Sequence, residues 1–170
     1  SYRKNSEGEF EMDFAADRIY NLNNSILIVD EGHNLTGNYF GAALMEIKKR
    51  STNLRIIEED AHLVLQHWIA DQSLDAVHLY FPDPWPKIRQ YKRRLIQEPF
   101  LELADKLLSN EGFVLIITDD DSYAEFIEDV IAQSKYFMRS MVDVEIPDTR
   151  YRKRADKLAH TIHTYKLVRR

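Results

Sequence analysis

At 170 residues, with 44% hydrophobic side chains, the chain is long enough to bury a core and has none of the composition of a disordered segment. It has no cysteine, which excludes disulfides, thiolate-bound zinc and thiol nucleophiles, and no apolar run approaches the ~20 residues of a membrane span. The formal charge of −5 would argue against a nucleic-acid partner if it were spread evenly, but Lys87, Arg89, Lys92, Arg93 and Arg94 crowd one stretch and Arg150, Arg152, Lys153, Arg154 and Lys157 another.

The first apolar run, residues 25–29 (SILIV), has the length and β-branched content of a buried strand. Residues 39–49 read as a helix with Phe40, Leu44 and Ile47 on one side, and residues 54–57 as a second short strand. Residues 61–69 are helical in register, with Leu63, Val64, His67 and Trp68 recurring at helical spacing. Residues 76–81 form a third strand, stopped by Pro82, Pro84 and Pro86. An amphipathic helix follows over 99–108, then a turn at Ser109, Asn110, Glu111 and Gly112, then a strand over 113–118. Ser122 is a candidate N-cap for a helix running to about Gln133, and residues 141–146 and 161–168 read as two last strands. Only a short basic segment separates those two, so one of them is expected to run antiparallel.

Strand–helix alternation predicts one α/β domain over residues 1–170, built on a parallel sheet with right-handed crossovers. Such sheets bind ligands at the carboxyl ends of their strands. Asp30, Asp60, Asp83 and Asp119 fall there in succession. An acidic residue at the first of these positions can accept both ribose hydroxyls of a nucleoside cofactor. His160 and His163 lie three apart, but nothing near them completes a ligand set, so no metal is expected. The sequence around Ser1 has no signal-peptide pattern, which makes the cytoplasm the expected location.

The most specific string is Tyr80-Phe81-Pro82-Asp83-Pro84-Trp85-Pro86-Lys87. Alternating prolines force an extended, rigid turn just past a strand and fix the direction of Asp83. Phe81 and Trp85 offer apolar or stacking surface to a base. A proline-rich turn around a core tryptophan is the plain structural alternative.

FPDPWPK, followed by Arg89, Lys92, Arg93, Arg94 and Leu95, resembles the signature of the bacterial tRNA (guanine-N7)-methyltransferases. The resemblance extends from about Gly8 to the C-terminus, through LRIIEEDA, SLDAVHLYFPDPWPK and KRRL, then Thr118-Asp119, Tyr123 to Glu125 and Thr149-Arg150-Tyr151. It implies a Rossmann-like class I methyltransferase sheet with helices on both faces, its first strand here short or missing. It further implies S-adenosylmethionine as cofactor, tRNA as partner and methylation of a guanine N7 in the tRNA variable loop. By the same resemblance, Asp83 is the catalytic residue, and Gly8, Asp30, Asp60 and Asp83 hold the donor. Lys87, Asp119, Thr149, Arg150, Tyr151 and Arg152 meet the substrate, and Arg89, Lys92, Arg93 and Arg94 touch RNA. Monomer and homodimer are both left open, as is a partner subunit.

Two departures stand out. Thr149-Arg150-Tyr151-Arg152 replaces a family Thr-Lys-Phe-Glu, so a guanidinium stands where a carboxylate accepted hydrogen bonds. The family's Glu-x-Gly-x-Gly-x-Gly loop aligns with Tyr2, Lys4, Ser6 and Gly8, of which only Gly8 keeps its glycine. An impaired methyltransferase-fold protein that only binds tRNA is therefore the alternative expectation. A third reading, from Asp30-Glu31-Gly32-His33 as a helicase-type DExH box, fails because the chain has no Gly-x-x-x-x-Gly-Lys-Ser/Thr phosphate loop.

Overall fold

Val77, Leu79, Val114 and Ile116 alternate with residues of the opposite face along two neighbouring strands, and this alternation places the core. The computed structural model describes residues 60–141 and 161–170, together with the strand backbone of residues 2–4, 10–12 and 25–29. The chain divides into two compact units, Ser1–Tyr20 with Glu31–Asp60, and Asn21–Asp30 with Ala61–Arg170.

In the first unit, β1 (Tyr2–Lys4) and β2 (Phe10–Met12) pair antiparallel, with Tyr2 opposite Met12 and Lys4 opposite Phe10. The expected helix over 39–49 and strand over 54–57 lie outside the described residues.

The second unit holds β3 (Ser25–Val29), α1 (Ala61–His67), β4 (Leu74–Tyr80), a 3₁₀ helix (Ile88–Arg93) and α2 (Glu98–Leu107). It continues with β5 (Leu108–Thr118), α3 (Asp121–Gln133), β6 (Phe137–Arg139) and β7 (His163–Arg169). One five-stranded sheet runs in the order β3-β4-β5-β7-β6. Strands β3, β4 and β5 are parallel, while β7 is antiparallel to both of its neighbours. The antiparallel strand expected near the C-terminus is therefore β7.

Successive parallel strands are added in one direction, so right-handed crossovers put their helices on one face. That face carries Val77, Leu79, Val114, Ile116, Tyr165 and Leu167, packed with Leu65 of α1, Phe100 and Leu101 of α2, and Tyr123 and Ile127 of α3. The opposite face presents His78, Leu115 and Ile117, all buried.

Three local expectations change. Leu108 pairs with Leu74 directly after α2, and the register then slips so that Phe113 faces Ala76. Ser109 to Gly112 are thus an irregular excursion within a strand rather than a free turn. The N-cap of α3 is Asp120, not Ser122: Asp120 Oδ1 accepts from Tyr123 N at 2.7 Å and from Ser122 Oγ at 2.8 Å. A carboxylate offers a stronger acceptor than a hydroxyl to the amides at a helix start. Strand β6 lies at Phe137–Arg139, and Met141, expected to begin a strand, is an exposed bend. The rest of that predicted strand, residues 142–146, lies outside the described residues.

Candidate functional site at the carboxyl edge of β4 and β5

Strands β4 and β5 run parallel, so the segments that leave them emerge at the same edge of the sheet. Phe81 N donates to Ile117 O at 2.8 Å, carrying the ladder one residue past β4. There the chain turns abruptly. Phe81 has φ of 53° and Trp85 φ of 44°, the left-handed region that bulky side chains rarely enter. Each such residue costs on the order of 1–3 kcal/mol and persists only where its surroundings hold it. The pair brackets Asp83, which is exposed at the apex between buried Pro82 and half-buried Pro84. Asp119, half-buried, leaves the neighbouring strand immediately before the Asp120 cap.

After the prolines, the 3₁₀ helix carries the basic run. Lys87 precedes it and accepts through its carbonyl from Gln90 N at 2.7 Å. Lys87, Arg89, Lys92 and Arg93 are all exposed, and Ile88 stands 81% exposed among them. The Arg93 guanidinium lies 4.9 Å from the centroid of the Trp85 ring, so one cation of the run stacks on the loop's aromatic side chain.

Arg94 departs from its neighbours, and the expectation that it touches RNA is corrected. It is 2% exposed. Its Nε donates to Pro84 O at 2.8 Å, Nη2 to Ser122 Oγ at 3.2 Å and Nη1 to Ser122 O at 3.4 Å. Its guanidinium carbon sits 3.6 Å from the centroid of Tyr91, 4.8 Å from that of Phe126 and 4.9 Å from that of Tyr123. A guanidinium so enclosed does not reach a phosphate. The sequence hid this role because Arg94 is the last member of a basic run, and nothing in spacing separates a buried arginine from an exposed one. The only hint is that Leu95 and Ile96 follow it, and Ile96 is fully buried with its amide donating to Tyr123 Oη at 3.2 Å.

Of the other expected residues, Asp60 is exposed just ahead of α1. Gly8, Asp30, Thr149, Arg150, Tyr151 and Arg152 lie outside the described residues. Tyr2 and Lys4, which the resemblance aligns with the glycine loop, stand in the paired strand β1. His163, weighed above as a metal ligand, instead has Nε2 2.7 Å from Asp121 Oδ1, and no cluster able to hold a metal occurs among the described residues.

A parallel α/β sheet with an antiparallel strand near its end and a carboxylate-bearing loop at its carboxyl edge is a Rossmann-like framework of the methyltransferase class. Residues 34–164 match the family described as "Putative methyltransferase", and the chain belongs to that family. It is similar to the tRNA (guanine-N(7)-)-methyltransferase of Nitrosomonas europaea, 44% identical over 128 residues, covering 72% of this chain and 57% of the relative. The enzyme of that name from Methylobacillus flagellatus is 40% identical over 128 residues, covering 72% and 54%. The chain thus spans about half the length of the curated relatives it matches. Among solved structures, a putative methyltransferase from Thermoplasma acidophilum is similar at a TM-score of 0.41 and 15% identity, over 84% of this chain and 54% of that one.

Proposed function

We propose that this chain, read as one methyltransferase-like domain over residues 1–170, methylates N7 of a guanine in the variable loop of tRNA, with S-adenosylmethionine as donor. The observation that carries the reading is Asp83, exposed at the apex of a rigid loop on the carboxyl edge of β4 and followed at once by an exposed basic helix. The names of the similar proteins, tRNA (guanine-N(7)-)-methyltransferases, supply the substrate.

Guanine N7 bears a lone pair and no proton, so the site needs no general base. What it needs is placement, and well-oriented reactants gain roughly 7–11 kcal/mol over free encounter. In this reading Asp83 accepts from the N–H edge of the base and favours the positive charge that grows on the ring as N7 becomes bonded. Phe81 and Trp85 shield the base from water, Trp85 with one face under Arg93. Lys87, Arg89, Lys92 and Arg93 hold RNA phosphates and so set register, independently of sequence. Asp119, Thr149, Arg150, Tyr151 and Arg152 complete substrate binding.

The chemistry of the described carboxylates fits a sulfonium cofactor: Asp83 is exposed and Asp119 half-exposed at adjacent strand ends, where a cation is favoured. Of the residues the resemblance assigns to it, Asp30 and Asp83, both of the second unit, are the ones that would hold it. When bound, S-adenosylmethionine supplies an electrophilic methyl group. No helix among the described residues is long and apolar enough to cross a membrane, and the cytoplasm, where tRNA is met, is the proposed location.

The test is transfer of labelled methyl from S-adenosylmethionine to tRNA. Label is expected on tRNA carrying guanosine in the variable loop and absent when that residue is 7-deazaguanosine, which lacks N7. Asp83→Ala is expected to abolish transfer while leaving tRNA affinity within about twofold, because phosphate contacts dominate affinity. Label on the 7-deaza substrate, or full activity of Asp83→Ala, would overturn the assignment.

A further inference from the structure

We propose that Arg94 is a positioning residue whose buried guanidinium holds the Asp83 loop against the first turn of α3, and so sets the Asp83 carboxylate relative to Asp119. The catalytic consequence rests on the function proposed above; the structural claim does not.

Three segments meet at this one side chain. The loop contributes the Pro84 carbonyl, next in sequence to Asp83, which accepts from Arg94 Nε. Helix α3 contributes both the hydroxyl and the carbonyl of Ser122, which accept from Nη2 and Nη1. That same hydroxyl donates to Asp120, the cap residue adjoining Asp119. The 3₁₀ helix and α3 contribute the rings of Tyr91, Tyr123 and Phe126 around the guanidinium. Among the described residues, the partners of this buried cation are therefore neutral oxygens and ring faces. A planar fork with fixed donor directions suits such a set, and a lysine ammonium does not, because one point charge cannot span Pro84 and Ser122 together.

The loop needs such an anchor. Phe81 and Trp85 are both held in the left-handed region, and neither is a glycine. The ladder bond from Phe81 N fixes the loop's first residue. Arg94 Nε fixes the residue after Asp83, so the carboxylate is held from both sides. The adjacent arginines therefore have opposite duties: Arg93 faces solvent over Trp85, and Arg94 faces inward beneath the loop.

The experiment uses Arg94→Lys in the full chain. Trp68, the other tryptophan, is 61% exposed just past α1 and is replaced by Phe, so that Trp85 is the sole tryptophan and is excited selectively at the red edge. With the far-ultraviolet circular dichroism retained, acrylamide quenching of Trp85 is expected to rise at least twofold over the Trp68→Phe parent. Binding of tRNA, with its salt dependence, is expected to stay within twofold. The kcat for methylation is expected to fall at least tenfold, with KM for tRNA within twofold. Arg93→Gln is the contrast, with weaker binding and a flatter salt dependence. Unchanged Trp85 quenching in folded Arg94→Lys would overturn the proposal, as would a loss of tRNA affinity and salt slope matching that of Arg93→Gln. Should Arg94→Lys fail to fold, Ser122→Ala removes the hydroxyl acceptor of Nη2, together with its bond to Asp120, and unchanged quenching there would overturn the proposal equally. A parent with no methylation activity would defeat the functional reading, while the quenching result would still decide the role of Arg94.

Discussion

Arg169 Nε lies 2.6 Å from Asp105 Oδ1, tying the last residue of β7 to the final turn of α2. The same guanidinium donates to Ser109 O at 2.7 Å, to Leu108 O at 2.8 Å and to Asp105 O. These carbonyls lie at the C-terminal end of α2, where a helix leaves its last acceptors unpaired and where a cation is favoured. Arg169→Ala is expected to lower the unfolding free energy by about 2–3 kcal/mol, since hydrogen bonds to a partly buried charge are lost together. Urea unfolding at unchanged m-value checks it, with Arg169→Lys expected to recover less than half. A loss below about 0.5 kcal/mol would mean that water replaces the guanidinium at little cost.

Gly112 closes the excursion that Arg169 braces. A Cβ added there would lie 2.9 Å from both Leu108 Cβ and Leu108 Cδ2, and 3.0 Å from Ser109 O. Leu108 is fully buried, so it has little room to give. Gly112→Ala is expected to destabilise by about 1–3 kcal/mol through overpacking, although alanine is ordinarily well tolerated in place of glycine. A neutral or stabilising result in thermal unfolding would show that the excursion shifts as a unit.

His78 makes the protein's stability depend on pH. It is buried in β4, with Tyr80 Oη 3.3 Å from Nδ1 and the Phe113 ring edge-on at 5.7 Å. Burial lowers its pKa from the ordinary 6.5. The unfolded chain therefore takes up a proton near that value while the native protein does not. Stability is full above it and falls as pH drops through it, by up to about 1.4 kcal/mol per pH unit. His78→Gln is expected to flatten the fall in melting temperature between about pH 7 and pH 5. An unaltered profile would assign that fall to other groups.

Asp120 and Ser122 can be ranked as caps of α3. Asp120→Ala removes the acceptor for Tyr123 N and is expected to cost about 1 kcal/mol, within the range of cap losses. Ser122→Ala leaves that acceptor in place and is expected to cost less. The reverse order in chemical denaturation would restore Ser122 as the cap.

The exposed cations are separable from Arg94 by salt. If Arg89 and Lys92 meet phosphates, replacing each with Gln lowers the slope of log affinity against log salt by about 0.7–0.9 per contact. A titration of tRNA binding between low and moderate salt reads this directly. Slopes that do not change would return those side chains to a solvated surface.

Much of this architecture is legible along the chain, because apolar runs and proline breaks are local signals. The strand at Ser25–Val29 matches its SILIV run, and β4 begins and ends within two residues of its expected bounds. Helix α2 is displaced by one residue, and Pro99 sits in its first turn, where a missing N–H is harmless. The FPDPWPK string likewise announces a rigid acidic loop, since proline restricts the backbone whatever surrounds it.

What the sequence alone determined, then, is the order of elements, the loop that bears Asp83 and the presence of a basic run after it. Tertiary structure decided which face each charge meets. Arg93 and Arg94 are adjacent and chemically identical, yet one lies on Trp85 in solvent and the other is enclosed by Tyr91, Tyr123 and Phe126. Two of those rings and both Ser122 acceptors come from α3, roughly thirty residues away. The same holds for the excursion at Ser109 to Gly112, which the sequence presents as a turn and the pairing with β4 draws into a strand. Burial is set by partners distant in sequence, and no local pattern records where they stand.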